Sequence, residues 1–205
     1  MREDTILNDL LAKWNTMPRP KLHSDDSILQ TALSVLLRSG PADFTLSDVA
    51  AAVGISRAAL IQRFKNKSTL HQKVMERMTQ DVRDYFLDAD FQKGLDPLWL
   101  MLKELIAGMG SGSGMENYLR LLWADIQTPS LRTLAAERNR LVRAANQSRL
   151  PEEPHAPEPT ARLIQAVIQG AYTQWLVESE GELALFMTEQ TRRVLSLLYP
   201  EHAFH

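Results

Sequence analysis

The chain has 205 residues, 44% of them hydrophobic, and a formal net charge of −2 at pH 7. It contains no cysteine, which excludes disulfide bonds, thiol catalysis and cysteine-based metal sites. No apolar run approaches the roughly 20 residues that a membrane helix needs, and the N-terminus lacks the basic-then-apolar pattern of a secretory signal. We therefore expect a cytoplasmic protein, long enough for a small domain and a larger one.

The first 23 residues are predicted to form an extension ahead of the first domain. Residues 1–16 place apolar side chains on one face at helical spacing, which predicts an amphipathic helix. Pro18 and Pro20 separate this segment from the next helix. Ser24 can cap that helix, and Gly40-Pro41 are expected to end it.

Residues 44–67 carry the most informative pattern, two short helices joined by a tight turn. Thr45 can cap the first helix, and Gly54 can end it in the left-handed conformation that glycine adopts at no steric cost. Ser56 can cap the second helix, in which Leu60 and Phe64 lie one turn apart and point inward. This arrangement predicts a helix-turn-helix, which lays its second helix in the major groove of DNA.

The outward face of the second helix is predicted to read DNA. At about 100° per residue, Gln62 lies opposite the inward stripe, close to two alanines and a lysine. Glutamine can pair with adenine, and alanine can contact the methyl group of thymine. The helical wheel puts Arg57 nearer the core side, although as the first helical residue it could swing outward. The predicted DNA-binding residues are Thr45, Ser56, Arg57, Ala58, Ala59, Gln62, Arg63, Lys65 and Lys67.

An ordinary helical hairpin with a solvated face is the alternative for these residues. The charge distribution favours nucleic acid, because residues 19–67 contain seven Lys or Arg and four Asp or Glu, a net +3 that leaves −5 for the rest. Phosphate binding needs a local basic surface and not a basic chain.

The same stretch resembles the DNA-binding domain of the tetracycline-repressor (TetR) family. The resemblance covers residues 24–90 best, and it departs from the family pattern at Ile61, where the family usually has a phosphate-binding Tyr, and at Arg63, where it often has His. The residues that carry it are Thr45, Val49-Ala50, Gly54-Ile55-Ser56, Leu60, Phe64 and Lys67. It implies an all-α fold with an N-terminal three-helix DNA-binding domain (24–67) and a C-terminal ligand-binding and dimerisation domain (68–205).

The remainder of the chain is predicted to be helical. A long helix begins near Ser68, and another begins at Asp96-Pro97. Four prolines in residues 150–159 predict an extended, exposed linker. The further predicted helices are Met115–Gln127, Pro129–Arg149, Thr160–Ser179 and Glu182–Tyr199.

The last two helices are predicted to form the dimer interface, because their apolar stripes are wide enough to bury more than one face. In the resembled family, this pair forms a four-helix bundle with its copy in a second subunit. The alternative is that the stripes fill only the core of their own chain. The predicted interface residues are Leu163, Val167, Gly170, Ala171, Phe186, Gln190 and Val194.

Aromatic and methionine side chains are concentrated in the middle helices, which suits an apolar or weakly polar effector. An ordinary core explains any single one of them equally well. The predicted ligand-binding residues are Trp99, Leu102, Tyr118, Trp123, Gln174 and Trp175.

Enzyme function is not expected, because the sequence has neither a phosphate-binding glycine loop after a strand nor a catalytic motif. His155 among Glu152, Glu153 and Glu158 is a conceivable metal site, yet a proline-rich loop is usually only solvated, so no metal or cofactor is expected. The sequence predicts a homodimeric repressor that binds an operator and is released by a small molecule. The alternative is a helical protein-binding adaptor without DNA affinity.

Overall fold

The computed structural model describes residues 24–88, 92–109, 115–178 and 180–205, and these contain nine α-helices and no strand. The predicted all-α class is therefore confirmed, while the predicted helix at 1–16 lies outside the described residues. The helices are α1 (Asp25–Asp43), α2 (Leu46–Val53), α3 (Arg57–Phe64), α4 (Lys67–Asp88), α5 (Leu95–Ala107), α6 (Met115–Gln127), α7 (Pro129–Arg149), α8 (Pro157–Glu178) and α9 (Leu183–Leu198).

The described residues fall into two compact units. The N-terminal unit contains residues 24–87 and 115–138, which is α1 to α4, α6 and the first half of α7. The C-terminal unit contains residues 92–109, 139–178 and 180–205, which is α5, the end of α7, α8 and α9. The division at residue 68, drawn from the expected functions, stays a prediction.

The core of the N-terminal unit is built by α1, which packs against both α2 and α6. The Ser24 side chain caps α1 by accepting a hydrogen bond from the amide of Ser27. Burial of large apolar side chains is the main stabilising term in such a unit. Those with no exposed surface include Ile28, Leu36, Phe44, Leu60 and Leu70.

A kink at Gly40 interrupts α1, which was expected to end there but continues to Asp43. Gly40 has φ +76°, a conformation that other residues adopt only with strain, and Pro41 follows it. Asn117 of α6 donates its side-chain amide to the carbonyl of Arg38 over 2.8 Å. This hydrogen bond occupies a helix carbonyl beside the kink and joins α1 to α6.

The C-terminal unit is organised around the packing of α8 on α9, with α5 also contacting α9. Ile164, Leu183 and Leu195 are fully buried there. The chain end lies on α5, where the indole N–H of Trp99 donates to the carbonyl of His205 over 2.7 Å.

The predicted linker at 150–159 is wrong at both ends. Leu150 is fully buried, and α8 already begins at Pro157, three residues before the predicted start. Proline is well suited to a first helical position, because that amide has no partner within the helix. Only the short segment 150–156 joins α7 to α8.

Candidate DNA interface

The two helices of the predicted helix-turn-helix begin and end at the residues expected. Thr45 accepts from the amide of Asp48 over 3.1 Å and donates its hydroxyl to the Asp48 carboxylate over 2.6 Å. Gly54 ends α2 with φ +81°, in the left-handed region. Ser56 caps α3 by accepting from the amide of Ala59 over 3.1 Å. Local side-chain hydrogen bonds and the Gly54 conformation therefore fix where α2 and α3 begin and where α2 ends.

The outward face of α3 is formed by side chains that the sequence placed there. Arg57, Ala58 and Gln62 are exposed, Ala59 is half-buried, and the inward Leu60 and Phe64 are buried. The helical wheel alone put Arg57 nearer the core, with an outward swing as the alternative, and the structure shows the outward position: at the start of α3 the residue is exposed. An arginine and a glutamine of α3 are thus both exposed to solvent.

Of the three basic residues from Arg63 to Lys67, two also contact α1 or its C-terminal end. Lys65 is exposed and has φ +64°. Arg63 lies 3.3 Å from the Asp25 carboxylate at the start of α1. The Lys67 ammonium donates to the carbonyl of Ala42 over 3.0 Å and lies 6.0 Å from the Phe44 ring.

The charged residues in the segment around this face are all positive. Residues 49–75 include five Lys or Arg and no Asp or Glu. A stretch of this kind supplies the positive potential that phosphate groups require. The sequence did not predict Asp25 or Ala42 as supporting groups, because each lies far along the chain from its partner.

The six predicted ligand-binding residues lie in both units. Trp99 and Leu102 are buried in the C-terminal unit, with Gln174 exposed and Trp175 half-buried. Tyr118 and Trp123 belong to the N-terminal unit, where the Trp123 side chain is 66% exposed. Their joint role stays a prediction.

Trp123 also lines a surface cavity of about 790 Å³ between the end of α1 and α6, which the sequence did not predict. The other lining residues are Ser39, Gly40, Pro41, Ala42, Asp43, Leu119, Arg120 and Ala124.

The seven predicted dimer residues occupy α8 and α9. Leu163 is 44% exposed, and a side chain added at Gly170 would meet no atom within 4 Å. Val167, Phe186, Gln190 and Val194 are half-buried, whereas Ala171 is buried within its own unit. Partly exposed apolar residues are compatible with an interface, which stays a prediction.

The conceivable metal site at His155 has a different explanation. The His155 ring nitrogen Nε2 lies 2.9 Å from the carbonyl oxygen of Leu198, so the ring is hydrogen-bonded to the backbone of α9. The part of the chain that the structure describes contains no group of three or more His, Asp or Glu that could hold a metal ion. None of the described helices combines the length and apolar character needed to cross a bilayer.

Comparison with known proteins identifies the N-terminal segment. Residues 28–74 match the model of the family "Bacterial regulatory proteins, tetR family". No curated protein sequence matches the chain.

Solved structures share the fold. A TetR-family member from Streptomyces coelicolor A3 has 21% identity and a TM-score of 0.61, with 85% of this chain and 98% of that one covered. SmeT, the repressor of the Stenotrophomonas maltophilia multidrug efflux pump SmeDEF, has 17% identity, a TM-score of 0.61 and coverages of 85% and 90%. A Saccharomonospora viridis regulator in complex with choline has 16% identity, a TM-score of 0.66 and coverages of 83% and 94%.

These identities establish a shared fold, and the family match covers the helix-turn-helix whose capped helices and basic face are described above. Residues 28–74 of the chain thus match the tetR family of bacterial regulatory proteins, and the chain as a whole is similar in fold to solved structures of such regulators.

Proposed function

We propose that this chain is a transcriptional repressor that binds a near-palindromic operator as a homodimer and is released by a small molecule. The observation that carries the proposal is the solvated face of α3, where Arg57 and Gln62 are exposed within a segment free of acidic residues. In this proposal, these two side chains read bases, and Arg63, Lys65 and Lys67 bind phosphates. Thr45 and Ser56 orient the helices and bring their backbone close to the DNA.

Homodimer formation is supported by the apolar side chains that α8 and α9 leave exposed. Besides Leu163, the large exposed apolar residues of these helices are Val177, Leu185 and Leu197. A second copy that covers them would carry a second α3. Two such helices fit successive major grooves when the half-sites are spaced by about 34–36 Å or a multiple of it.

Control by a small molecule is supported by the relatives that share the fold. One of them represses a multidrug efflux pump, and another was crystallised with choline. We propose an uncharged or weakly polar effector for this chain, in contact with aromatic residues such as Tyr118 and Trp123. In one conformation of the dimer, the distance between the two α3 helices would not match the distance between successive major grooves. A ligand that prefers this conformation would lower operator affinity by roughly 5–150-fold. A cytoplasmic location is part of the same proposal.

The experiment that tests the function is selection of bound duplexes from a random DNA pool by the full-length chain. We expect enrichment of two inverted half-sites, and a Gln62→Ala/Arg57→Ala variant selected in parallel should enrich no common sequence. A library of small molecules is then screened for release of the enriched duplex. If the wild-type chain enriches no sequence and binds no duplex, the adaptor without DNA affinity becomes the better explanation.

A further inference from the structure

His71 and Asp125 face each other inside the N-terminal unit without a hydrogen bond. Asp125 of α6 is 1% exposed, and its Oδ1 lies 3.9 Å from Nε2 of His71 on α4. Neither of these buried atoms has a hydrogen-bond partner among the described residues. The distance exceeds that of a hydrogen bond by about 1 Å. Two buried polar atoms left in this state are unusual and costly.

The second oxygen of Asp125 is held firmly from another helix. Arg138 of α7 donates from Nη2 to Asp125 Oδ2 over 2.9 Å and from Nη1 to the Thr79 hydroxyl over 2.8 Å. Thr79, on α4 and itself buried, donates in turn to the carbonyl of Met75 over 2.8 Å. The carboxylate is thus anchored to α7 and to the middle of α4, and only its His71 side is unbonded.

The charged and titratable groups around the pair decide when it takes up a proton. Burial lowers the pKa of His71, and the nearby Lys67 ammonium lowers it further. Burial raises the pKa of Asp125 to about 6, although Arg138 opposes the rise. On α6, burial raises the pKa of the Tyr118 phenol, so it stays neutral. Because Asp125 takes up a proton near pH 6, the pair holds one more proton below this pH than above it.

His71 also touches the core of the helix-turn-helix. Its ring centroid lies 6.4 Å from that of Phe44, at an interplanar angle of 57°. Phe44 is fully buried and directly precedes the Thr45 cap of α2. The Lys67 ammonium contacts the same Phe44 ring, one turn of α4 before His71. A movement of His71 would therefore displace Phe44 and so affect the contact between α4 and the DNA-binding helices.

We propose that His71 and Asp125 form a proton-operated contact that draws α4 towards α6 and thereby weakens DNA binding at mildly acidic pH. The DNA part of this proposal rests on the proposed function. A proton from solvent hydronium binds either His71 Nε2 or Asp125 Oδ1. In both cases an N–H or O–H donor then lies between the two atoms. A charge-assisted hydrogen bond of about 2.7–2.9 Å then replaces the present separation. The proton returns to solvent when the pH rises.

The contact is tested without DNA by NMR on the full chain over a pH titration. We expect the His71 imidazole nitrogens and the backbone amides of residues 66–72 to shift in one common step near pH 6. Asp125→Asn should abolish that step. In His71→Gln, Asp125 still takes up a proton because burial raises its pKa, but without the imidazole the step in the backbone amides of residues 66–72 should be smaller than in wild type. Asp81→Asn is the matched control, since Asp81 on α4 is a half-buried carboxyl that also has a raised pKa but is paired with Arg77. If the amides shift identically in Asp125→Asn and wild type, the contact does not exist.

The coupling to DNA is tested with the selected duplex at about pH 7.5 and about pH 5.5, on either side of the titration. Acidification strengthens phosphate binding in every variant, so the comparison is made with Asp125→Asn. Relative to that variant, we expect wild type to lose roughly threefold to tenfold in affinity at the lower pH, and Asp81→Asn to behave as wild type. Equal pH dependence in wild type and Asp125→Asn would overturn the coupling. If no duplex binds at any pH, the proposed function fails, and the NMR titration alone decides whether the contact exists.

Discussion

The ammonium of Lys67 donates a hydrogen bond to the backbone carbonyl of Ala42 over 3.0 Å. Ala42 lies in the last turn of α1, beyond the kink, and Lys67 is the first residue of α4. The bond therefore closes the helix-turn-helix by joining the element before it to the element after it. Lys67 has a structural role in addition to its proposed contact with phosphate.

Lys67→Ala should consequently affect both stability and DNA binding. Loss of a charged hydrogen bond should lower the free energy of unfolding by about 1–3 kcal/mol. Loss of one phosphate contact should weaken binding to all DNA sequences alike. It should also flatten the slope of log K against the logarithm of the salt concentration by about one. Chemical denaturation and binding at several salt concentrations measure the two effects. Lys65→Ala is the control, because this exposed lysine should flatten the slope with little change in stability; equal unfolding free energies for both variants would contradict the structural role.

Gln62→Ala should change sequence preference more than overall affinity. The exposed amide lies opposite the buried Leu60 and Phe64, where it can meet a base edge. We expect a cost of about 1–3 kcal/mol confined to one or two base positions. Binding to a set of single-base operator variants measures this, with Arg63→Ala as a uniform, phosphate-type comparison. A loss of equal size for every duplex would show that Gln62 does not read bases.

Gly40→Ala should destabilise the chain more than Gly54→Ala. Both glycines have positive φ, so either alanine carries backbone strain of about 1–2 kcal/mol. A side chain at Gly40 would also lie 3.1 Å from the Asn117 side-chain oxygen, whereas at Gly54 it meets nothing within 4 Å. Thermal and chemical unfolding give the two losses. Identical values would mean that Asn117 moves aside freely.

Asp125 should make wild-type stability fall as the pH rises from about 4 to about 6. Its pKa in the folded state is raised to about 6, above the 3.8 expected when unfolded, so the folded state binds the proton more tightly in that window. The stabilising contribution is fully present below the unfolded pKa and is lost as the pH rises through the folded pKa, on the order of 2–3 kcal/mol in total.

The lowered pKa of His71 has the opposite effect on stability. The folded state binds this proton less tightly than the unfolded chain does, so the contribution of His71 to stability is lost as the pH falls through the pKa of the unfolded chain. Asp125→Asn should remove only the first trend, and unfolding free energies measured at intervals between about pH 4 and 7 check it. A variant with the same slope as wild type would show that Asp125 titrates normally.

Leu163→Glu should separate the proposed dimer into folded monomers. Leu163 is 44% exposed on α8, so a charge there costs the single chain little but is buried in the dimer. Sedimentation at several concentrations measures the assembly state, and circular dichroism verifies the fold. Leu87→Glu is the control, since Leu87 is 74% exposed on α4, outside the proposed interface. A Leu163→Glu chain that stays dimeric would exclude this face.

The features that could be predicted from the sequence are those that depend on neighbours in the chain. Thr45 and Ser56 cap helices by hydrogen bonds that span three residues, and Gly54 ends α2 through its own backbone conformation. The bounds of α6 and α7 were also predicted correctly, because polar and apolar residues recur there at helical spacing. A short stretch of sequence contains all the information that these features need.

The features that the sequence did not reveal depend on contacts between distant residues. Lys67 and Ala42 are 25 positions apart, and Arg63 and Asp25 are 38 apart. Leu150 looked exposed because prolines follow it, yet tertiary packing buries it completely. His71, Asp125 and Arg138 lie on three helices with no spacing that marks them as a cluster.

The different burial of the tryptophans gives each unit its own optical reporter. Trp123 of the N-terminal unit is largely exposed, whereas Trp99 of the C-terminal unit is 4% exposed and hydrogen-bonded. An indole in water emits at longer wavelength than one in an apolar interior, and dissolved acrylamide quenches it by collision. With Trp14 and Trp175 replaced by phenylalanine, the long-wavelength, quenchable part of the emission follows α6, and the protected part follows α5. Events in the two halves of the molecule can be timed separately without attaching a dye.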